Sequence, residues 1–268
     1  SRTHVHFGRP EGLASRSQLK VWRSLLRSKG RAETGLFLVE GPRAVMELLH
    51  APVRAEALLH PDPTPESARE LVEAFAVAEV PCHALQDSEL ASVSDTRTPQ
   101  GLIAVAVRPT WRWEDLGAAD LLVLDAVQDP GNVGTLIRAA EGLGLSGAIV
   151  LPGTAEAWSP KVTRAAAGSN LRLPIVESAW TDARSWLERG AIEVWAADAK
   201  GEVLGRSGVS RPRVALVLGN EGAGVSDVVL RTAARTVSVP LRTPVDSLNV
   251  GVAGALLMDR LRESLRDG

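Results

Sequence analysis

One cysteine, Cys82, stands in 268 residues, which excludes a disulfide framework and a multi-cysteine metal site. Tyrosine is absent and phenylalanine occurs three times, so the seven tryptophans, Trp158 among them, read as bulky packing residues, with stacking on nucleic-acid bases as the alternative. No apolar run reaches the ~18 residues needed to span a bilayer, which argues against a transmembrane helix. No charged-apolar-small triplet opens the chain, so a secretory signal is not read. These absences point to a soluble protein of the cytoplasm. An excess of basic charge is also missing: the net charge is −2 and the isoelectric point about 6.2, no general signature of nucleic-acid binding. What is present is ample core material, 45% hydrophobic against 23% charged, which excludes global disorder. The length predicts roughly two domains.

Charge is more informative by segment. Arg2, Arg9, Arg16, Lys20, Arg23, Arg27, Lys29 and Arg31 face only Glu11 in residues 1–31, a local charge of +7 that leaves −9 for the rest. A basic arm on an acidic body suits a polyanion on one face, although a solvated terminus has the same composition. Residues 56–95 are acid-rich and read as a solvent-facing side. His4 and His6 read as terminal decoration, Cys82 as a core residue.

Periodicity divides the chain. Leu19, Trp22, Leu25 and Leu26 form a helical stripe over 15–28 that Gly30 and Gly35 should end. Strands are predicted at 37–40, 55–59, 82–85 and 102–107, with helices at 43–49 and 66–78. This makes a small α/β domain over residues 1–108. Pro109, Trp111, Trp113 and Gly117 break the pattern and mark a linker, 109–119. From 120 to 268, apolar strands at 121–127, 147–151, 173–176, 192–197, 214–218 and 236–239 alternate with helices at 133–144, 160–168, 180–189, 227–234 and 248–265. That alternation predicts a parallel sheet covered on both faces, with ligands outside the carboxyl ends of its strands.

Three loops follow three of those strand ends. Asp129-Pro130-Gly131-Asn132-Val133-Gly134 is a tight turn in which Asn132 can cap the next helix, and Arg138 follows on that helix. Gly219-Asn220-Glu221-Gly222-Ala223-Gly224 is glycine-rich enough for a backbone to approach a ligand. Glu221 would repel phosphate, so adenosine fits better than a dinucleotide. Pro240-Leu241-Arg242-Thr243-Pro244-Val245-Asp246-Ser247-Leu248-Asn249 offers Ser247 or Asp246 as a helix cap, and a buried Asn249 would need partners. Taken singly, the first loop reads better as a capped turn with a surface arginine, and the second and third read equally well as a glycine-rich connection and as the start of a packed helix.

Their order and spacing together resemble the three signature motifs of the SpoU (TrmH) family of RNA ribose 2′-O-methyltransferases, in the SPOUT superfamily. Asn132, Gly134 and Arg138 match the first motif, Leu218 to Gly224 the second, and Ser247 to Val250 the third. QLKVWRSLLRSKGRAETGLFLVEGPR and SDTRTPQGLIAV resemble the RNA substrate-binding domain found in front of many such enzymes. The resemblance implies an α/β chain: a small substrate-binding domain, then a mostly parallel-sheet domain with a C-terminal trefoil knot. It implies S-adenosylmethionine as cofactor, flanked by Leu218, Gly219, Asn220, Val239, Leu241 and Leu248. A homodimer and an RNA substrate, rRNA before tRNA, are implied too; neither metal nor membrane is. Arg138 corresponds to the catalytic arginine. A guanidinium is implausible as a simple base, so binding the phosphate beside the target ribose is the better reading, and the proton acceptor stays open. Asn132 would fix Arg138 or the ribose. Glu221 and Asn249 would hold the loops, and Ser247 would touch the target. Arg16, Lys20, Arg23, Arg27, Lys29 and Arg43 would grip RNA. The chain departs from the family at Thr243, where glycine is frequent, and at Gly251, where serine or alanine is usual. A noncatalytic RNA-binding protein on the same fold, and an antibiotic-resistance methyltransferase, are the competing readings.

Overall fold

A computed structural model describes residues 14–96, 101–204, 211–242 and 244–263. Arg2, His4, His6, Arg9 and Glu11 of the basic arm, residues 97–100 of the SDTRTPQG stretch, Thr243 and the expected helix end at 264–265 lie outside them. The described residues cluster into two compact units. One takes the chain as far as Pro109 together with Trp158–Arg172, and the other takes Thr110–Ala157 and the chain from Leu173 onward.

The first unit contains α1 (Arg16–Ser24), α2 (Ser28–Thr34), β1 (Leu36–Glu40), α3 (Pro42–Glu47), β2 (Ala55–Pro61), α4 (Glu66–Val77), β3 (Cys82–Leu85), α5 (Asp87–Val93) and β4 (Ile103–Val107). Its sheet runs β1-β4-β2-β3, with β4 antiparallel to both neighbours and β2 parallel to β3. The single helix expected over 15–28 is two. Ser15 opens α1 with a capping box: its hydroxyl accepts from the Gln18 amide, and Gln18 Oε1 accepts from the Ser15 amide. Gly30 does not stop the second helix but lies inside it; Gly35, at φ 70°, ends it. Leu19, Trp22 and Leu25 pack with Leu36, Leu38, Leu59, Leu85, Ile103 and Val105 in one core. Cys82 is buried, as a core residue should be.

Helix α7 (Pro160–Ala166) also belongs to this unit. Trp158 meets Phe37 edge-on, with ring centroids 5.2 Å apart. Arg164 Nη2 reaches Asp95 Oδ2 at 3.1 Å, and Arg172 pairs with Glu47.

The second unit contains β5 (Leu121–Asp125), α6 (Pro130–Gly142), β6 (Gly147–Val150), β7 (Ile175–Glu177), α8 (Trp180–Arg189), β8 (Glu193–Val203), β9 (Val214–Gly219), α9 (Asp227–Leu230), β10 (Arg235–Ser238) and α10 (Val250–Glu263). Its six strands run β10-β8-β9-β5-β6-β7, and every neighbouring pair is parallel. Strand β8 outruns the expected 192–197. Its pairing with β10 shifts register between Thr236 and Val237, so Ala196 faces Thr236 and Glu202 faces Val237. Trp111, Trp113 and Leu116, from the segment read as a linker, pack on the core beneath α8, and Trp113 stacks on Trp186 with centroids 5.3 Å apart.

At the amino end of the sheet, buried Asp120 accepts from Arg211 and, at 2.9 Å, from the Val214 amide. Arg211 also donates to Leu261 O at 2.8 Å, which ties down the end of α10. Trp22, Trp158, Trp180 and Trp195 are buried, and the other tryptophans pack against core, which favours the packing role over exposed base-stacking. Among the described residues no helix is long and apolar enough to cross a membrane, and no group of three or more His, Cys, Asp or Glu side chains could hold a metal.

Candidate active site

Strands β5 and β9 end side by side, with Asp125 opposite Gly219. The loops beyond them are stitched together by side chains of the second motif. Glu221 accepts from the Gln128 amide at 3.1 Å, the Asp129 amide at 3.0 Å and Asn132 Nδ2 at 3.0 Å. Asn220 Nδ2 donates to Ala126 O at 3.0 Å, while its Oδ1 accepts from the Gly222 and Ala223 amides, both at 2.9 Å. Ala126 sits at φ 58°, a conformation unusual for a residue with a Cβ, and the Asn220 bond holds its carbonyl there. Buried Asp125 accepts from the Ser226 amide at 2.7 Å.

The third motif joins the same network. Asn249 Nδ2 donates to Asn132 Oδ1 at 2.9 Å, and Asn249 Oδ1 accepts from the Gly251 and Val252 amides at 2.9 and 3.3 Å. A continuous chain Glu221–Asn132–Asn249 thus links segments far apart in sequence. Asn249 is exposed rather than buried, and its partners are Asn132 of the first loop and the first amides of α10.

Two capping expectations change. Asp129, not Asn132, caps α6, accepting from the Asn132 amide at 2.9 Å. This frees the Asn132 side chain for Glu221 and Asn249. Asn249, not Ser247 or Asp246, accepts from the first amides of α10. Ser247 is exposed and has no hydrogen-bond partner among the described residues.

The Glu221 carboxyl titrates below its ordinary range. Burial pushes it upward, but hydrogen bonds from the Asn132 side chain and from the Asp129, Gln128 and Glu221 amides outweigh that. It is therefore ionised near neutrality and acts as a fixed acceptor. Arg138 is exposed on α6 and has no carboxylate or hydrogen-bond partner among the described residues, which leaves its guanidinium open to an outside anion.

The second loop folds tightly on itself. A methyl group added at Gly219 would lie 2.2 Å from the Gly224 carbonyl carbon, so only glycine allows that approach. Gly224, at φ 73°, meets nothing within 4 Å on the face where a side chain would stand. A bare backbone face there suits a flat ligand such as adenine. Val239 and Leu248 are half-buried and Leu241 is 38% exposed, apolar surfaces of the kind an adenine needs. The Leu218 side chain is committed elsewhere. It is buried against α10, where a methyl group at Gly254 would lie 2.4 Å from it and 2.4 Å from Leu136. Only the Leu218 backbone is left for a ligand. The residues present thus fit S-adenosylmethionine.

In the first unit, Arg16, Lys20, Arg27 and Arg43 are exposed without an ion-pair partner among the described residues. Arg23 Nε instead donates to Ser92 Oγ at 2.7 Å, and Lys29 lies 3.8 Å from Glu33. Arg31, counted with the basic arm, is buried and donates to Leu25 O at 2.6 Å. Sequence reasoning missed Asp125, Ala126 and the amides of Gln128 and Asp129. The one signal for them was a carboxylate ending an otherwise apolar strand.

Two family models match the chain: the SpoU rRNA Methylase family over residues 120–259, and the MRM3-like substrate binding domain over 16–104. The 23S rRNA (guanosine(2553)-2′-O)-methyltransferase of Bacillus subtilis is 33% identical over 250 residues, covering 93% of this chain and 97% of the relative. A putative RNA methyltransferase of the TrmH family from Porphyromonas gingivalis superimposes with a TM-score of 0.78 at 31% identity, over 93% of this chain and 98% of the other. An AdoMet-bound rRNA methyltransferase from Sinorhizobium meliloti gives 0.83 at 26% identity, over 96% and 99%. Matched along most of its length and carrying all three motifs on the loops that meet at Asn132, the chain belongs to the SpoU rRNA methylase family.

Proposed function

We propose that this protein methylates one ribose 2′-hydroxyl of 23S rRNA, with S-adenosylmethionine as donor. The observation that carries the reading is the Glu221–Asn132–Asn249 chain beside Arg138, which has no partner among the described residues. The B. subtilis relative, which acts on 23S rRNA by name, favours that RNA over tRNA.

The donor supplies an electrophilic methyl group on a sulfonium. The protein's work is to align the hydroxyl oxygen with that carbon and ease loss of the hydroxyl proton. Arg138 binds the phosphate beside the target ribose and lowers the hydroxyl pKa through its charge. Asn132 and Asn249 fix the loop geometry, with Ser247 against the target nucleotide. Glu221 is held ionised by its donors, so it anchors Asn132 rather than exchanging the proton. Gly219, Asn220, Val239, Leu241, Leu248 and the Leu218 backbone flank the donor.

Residues 1–108 serve as the RNA-binding domain, with Arg16, Lys20, Arg27 and Arg43 on phosphates and Arg23 and Lys29 at the edge of that surface. Residues 120–268, less the 158–172 stretch that clusters with the first unit, form the catalytic domain; 109–119 lead into it and pack on its core, and its C-terminal loops form the trefoil knot. The enzyme works as a cytoplasmic homodimer. Val252 and Leu256, one turn apart on α10 and 50% and 41% exposed, offer an apolar stripe for the second copy. Incubation of unmodified 23S rRNA transcript with labelled donor tests the reading. Label confined to one alkali-resistant dinucleotide supports it; label in a base, or none, rejects it. Calorimetry separates the noncatalytic reading, which predicts no donor binding.

A further inference from the structure

Thr135 lies on α6 one turn beyond Asn132 and one turn before Arg138. The two i, i+3 spacings make Thr135 the helix-surface neighbour of each, while Asn132 and Arg138 themselves point about 120° apart. Its methyl is turned toward the start of α10: a Cβ at Gly251 would lie 3.4 Å from Thr135 Cγ2 and 3.5 Å from Asn132 Oδ1. The side chain is exposed, and the hydroxyl has no hydrogen-bond partner among the described residues. A helical threonine ordinarily turns its hydroxyl back to a carbonyl of the preceding turn; here that bond is not made. An uncommitted hydroxyl therefore stands midway between the network that fixes the loops and the guanidinium that faces solvent.

We infer that Thr135 is a substrate-contacting residue, whose hydroxyl donates to the same RNA phosphate that Arg138 holds. Two donors one helical turn apart grip a phosphodiester at two oxygens. They fix its rotation as well as its position, and so the register of the target ribose against Asn132. The inference rests on the methyltransferase reading above.

The test compares T135V, which keeps the shape and removes the hydroxyl, with T135S, which keeps the hydroxyl. With unmodified 23S rRNA transcript, T135V lowers kcat/KM about five- to tenfold, the size of one hydrogen bond, mainly through KM for RNA. S-adenosylmethionine affinity by calorimetry is unchanged. The salt dependence of RNA binding keeps its wild-type slope, because no charge is removed; R138A flattens it. T135S stays within about twofold of wild type. Should T135V lower the melting temperature by more than about 2 °C, T135A, a better helix former, carries the comparison. Wild-type kcat/KM in the hydroxyl-free variant overturns the inference. So does a T135S defect equal to that of T135V, which would assign the effect to the methyl. A wild-type protein that methylates no RNA defeats the underlying reading and the inference with it, an outcome distinct from an active wild type indifferent to Thr135.

Discussion

Arg138 stands exposed on α6 with no carboxylate partner among the described residues, while its helix neighbour Asn132 is fully engaged. In the proposed mechanism the two residues of one motif divide the work: Asn132 holds the loops and Arg138 meets the RNA. R138A accordingly keeps donor affinity within about twofold of wild type and loses about 100-fold or more in kcat, as removal of a charge-stabilising donor does. Calorimetry and single-turnover methylation check the pair of values. Glu221 gives a different outcome. Its lone pairs face two backbone N–H groups and an amide N–H. E221Q turns an NH₂ toward at least one of those donors, so donor affinity falls about tenfold, the cost of an unsatisfied pairing. The pH dependence follows from the sign of the shift. The folded carboxyl titrates below its unfolded value, so the stabilisation it lends is present above the unfolded pKa and is lost as pH falls through the folded one. Donor affinity, measured by calorimetry, should show no transition assignable to Glu221 between pH 8 and about 5. A midpoint near neutrality that E221Q abolishes would contradict the assignment.

At the scale of elements, the β9–α9 loop depends on one close approach. G219A places a methyl 2.2 Å from the Gly224 carbonyl carbon, and because the obstacle is backbone the turn must open. Donor binding is lost and the melting temperature falls, both measurable on the purified variant. G224A, at φ 73° but facing open space, costs only about 1 kcal/mol of conformational strain. Chemical denaturation should separate the two glycines by the size of the stability loss, large for G219A and small for G224A. Much at this scale was legible from pattern alone. The apolar runs at Leu121–Leu124 and Val214–Leu218 announced buried parallel strands, and the residues that follow each run announced the site. The outer half of β8 was hidden because Asp198, Lys200 and Glu202 read as loop, and only the shifted pairing with β10 makes them strand. Helix α5 follows directly on β3, too short to declare a period. The caps were misread for one reason: several cap-capable residues stand near each helix start, and tertiary partners decide which one serves. Asn132 is claimed by Glu221 and Asn249, so Asp129 caps α6.

For the whole molecule, charge distribution is the guide. Leu19, Trp22 and Leu25 sit in the first unit's core, and Arg31 is buried, so removing residues 1–31 would unfold that unit rather than test an RNA-binding arm. The informative variant is the triple R16A/K20A/R27A, whose side chains are exposed and unpaired among the described residues. It should fold normally and weaken RNA binding, with the salt slope reduced by about 0.7–0.9 for each phosphate that is no longer neutralised. An unchanged slope would move the RNA surface elsewhere. No sequence pattern announced that residues 158–172 cluster with the first unit. Their helix has the spacing of any amphipathic helix, and the partners that claim it, Phe37, Glu47 and Asp95, lie more than sixty residues away. Asp120 with Arg211 is a second long-range fastening. Since both are buried, D120A leaves a guanidinium uncompensated and costs about 3 kcal/mol or more.

The central claim is that loops from three separate stretches form one donor site with Arg138 at its RNA-facing edge. Sequencing-based mapping of 2′-O-methyl groups after reaction of unmodified 23S rRNA with wild type and with R138A tests it most directly. One ribose modified by the wild type and none by an R138A protein that still binds S-adenosylmethionine is the predicted result. Full modification by R138A, or a methyl group found on a base, would contradict it.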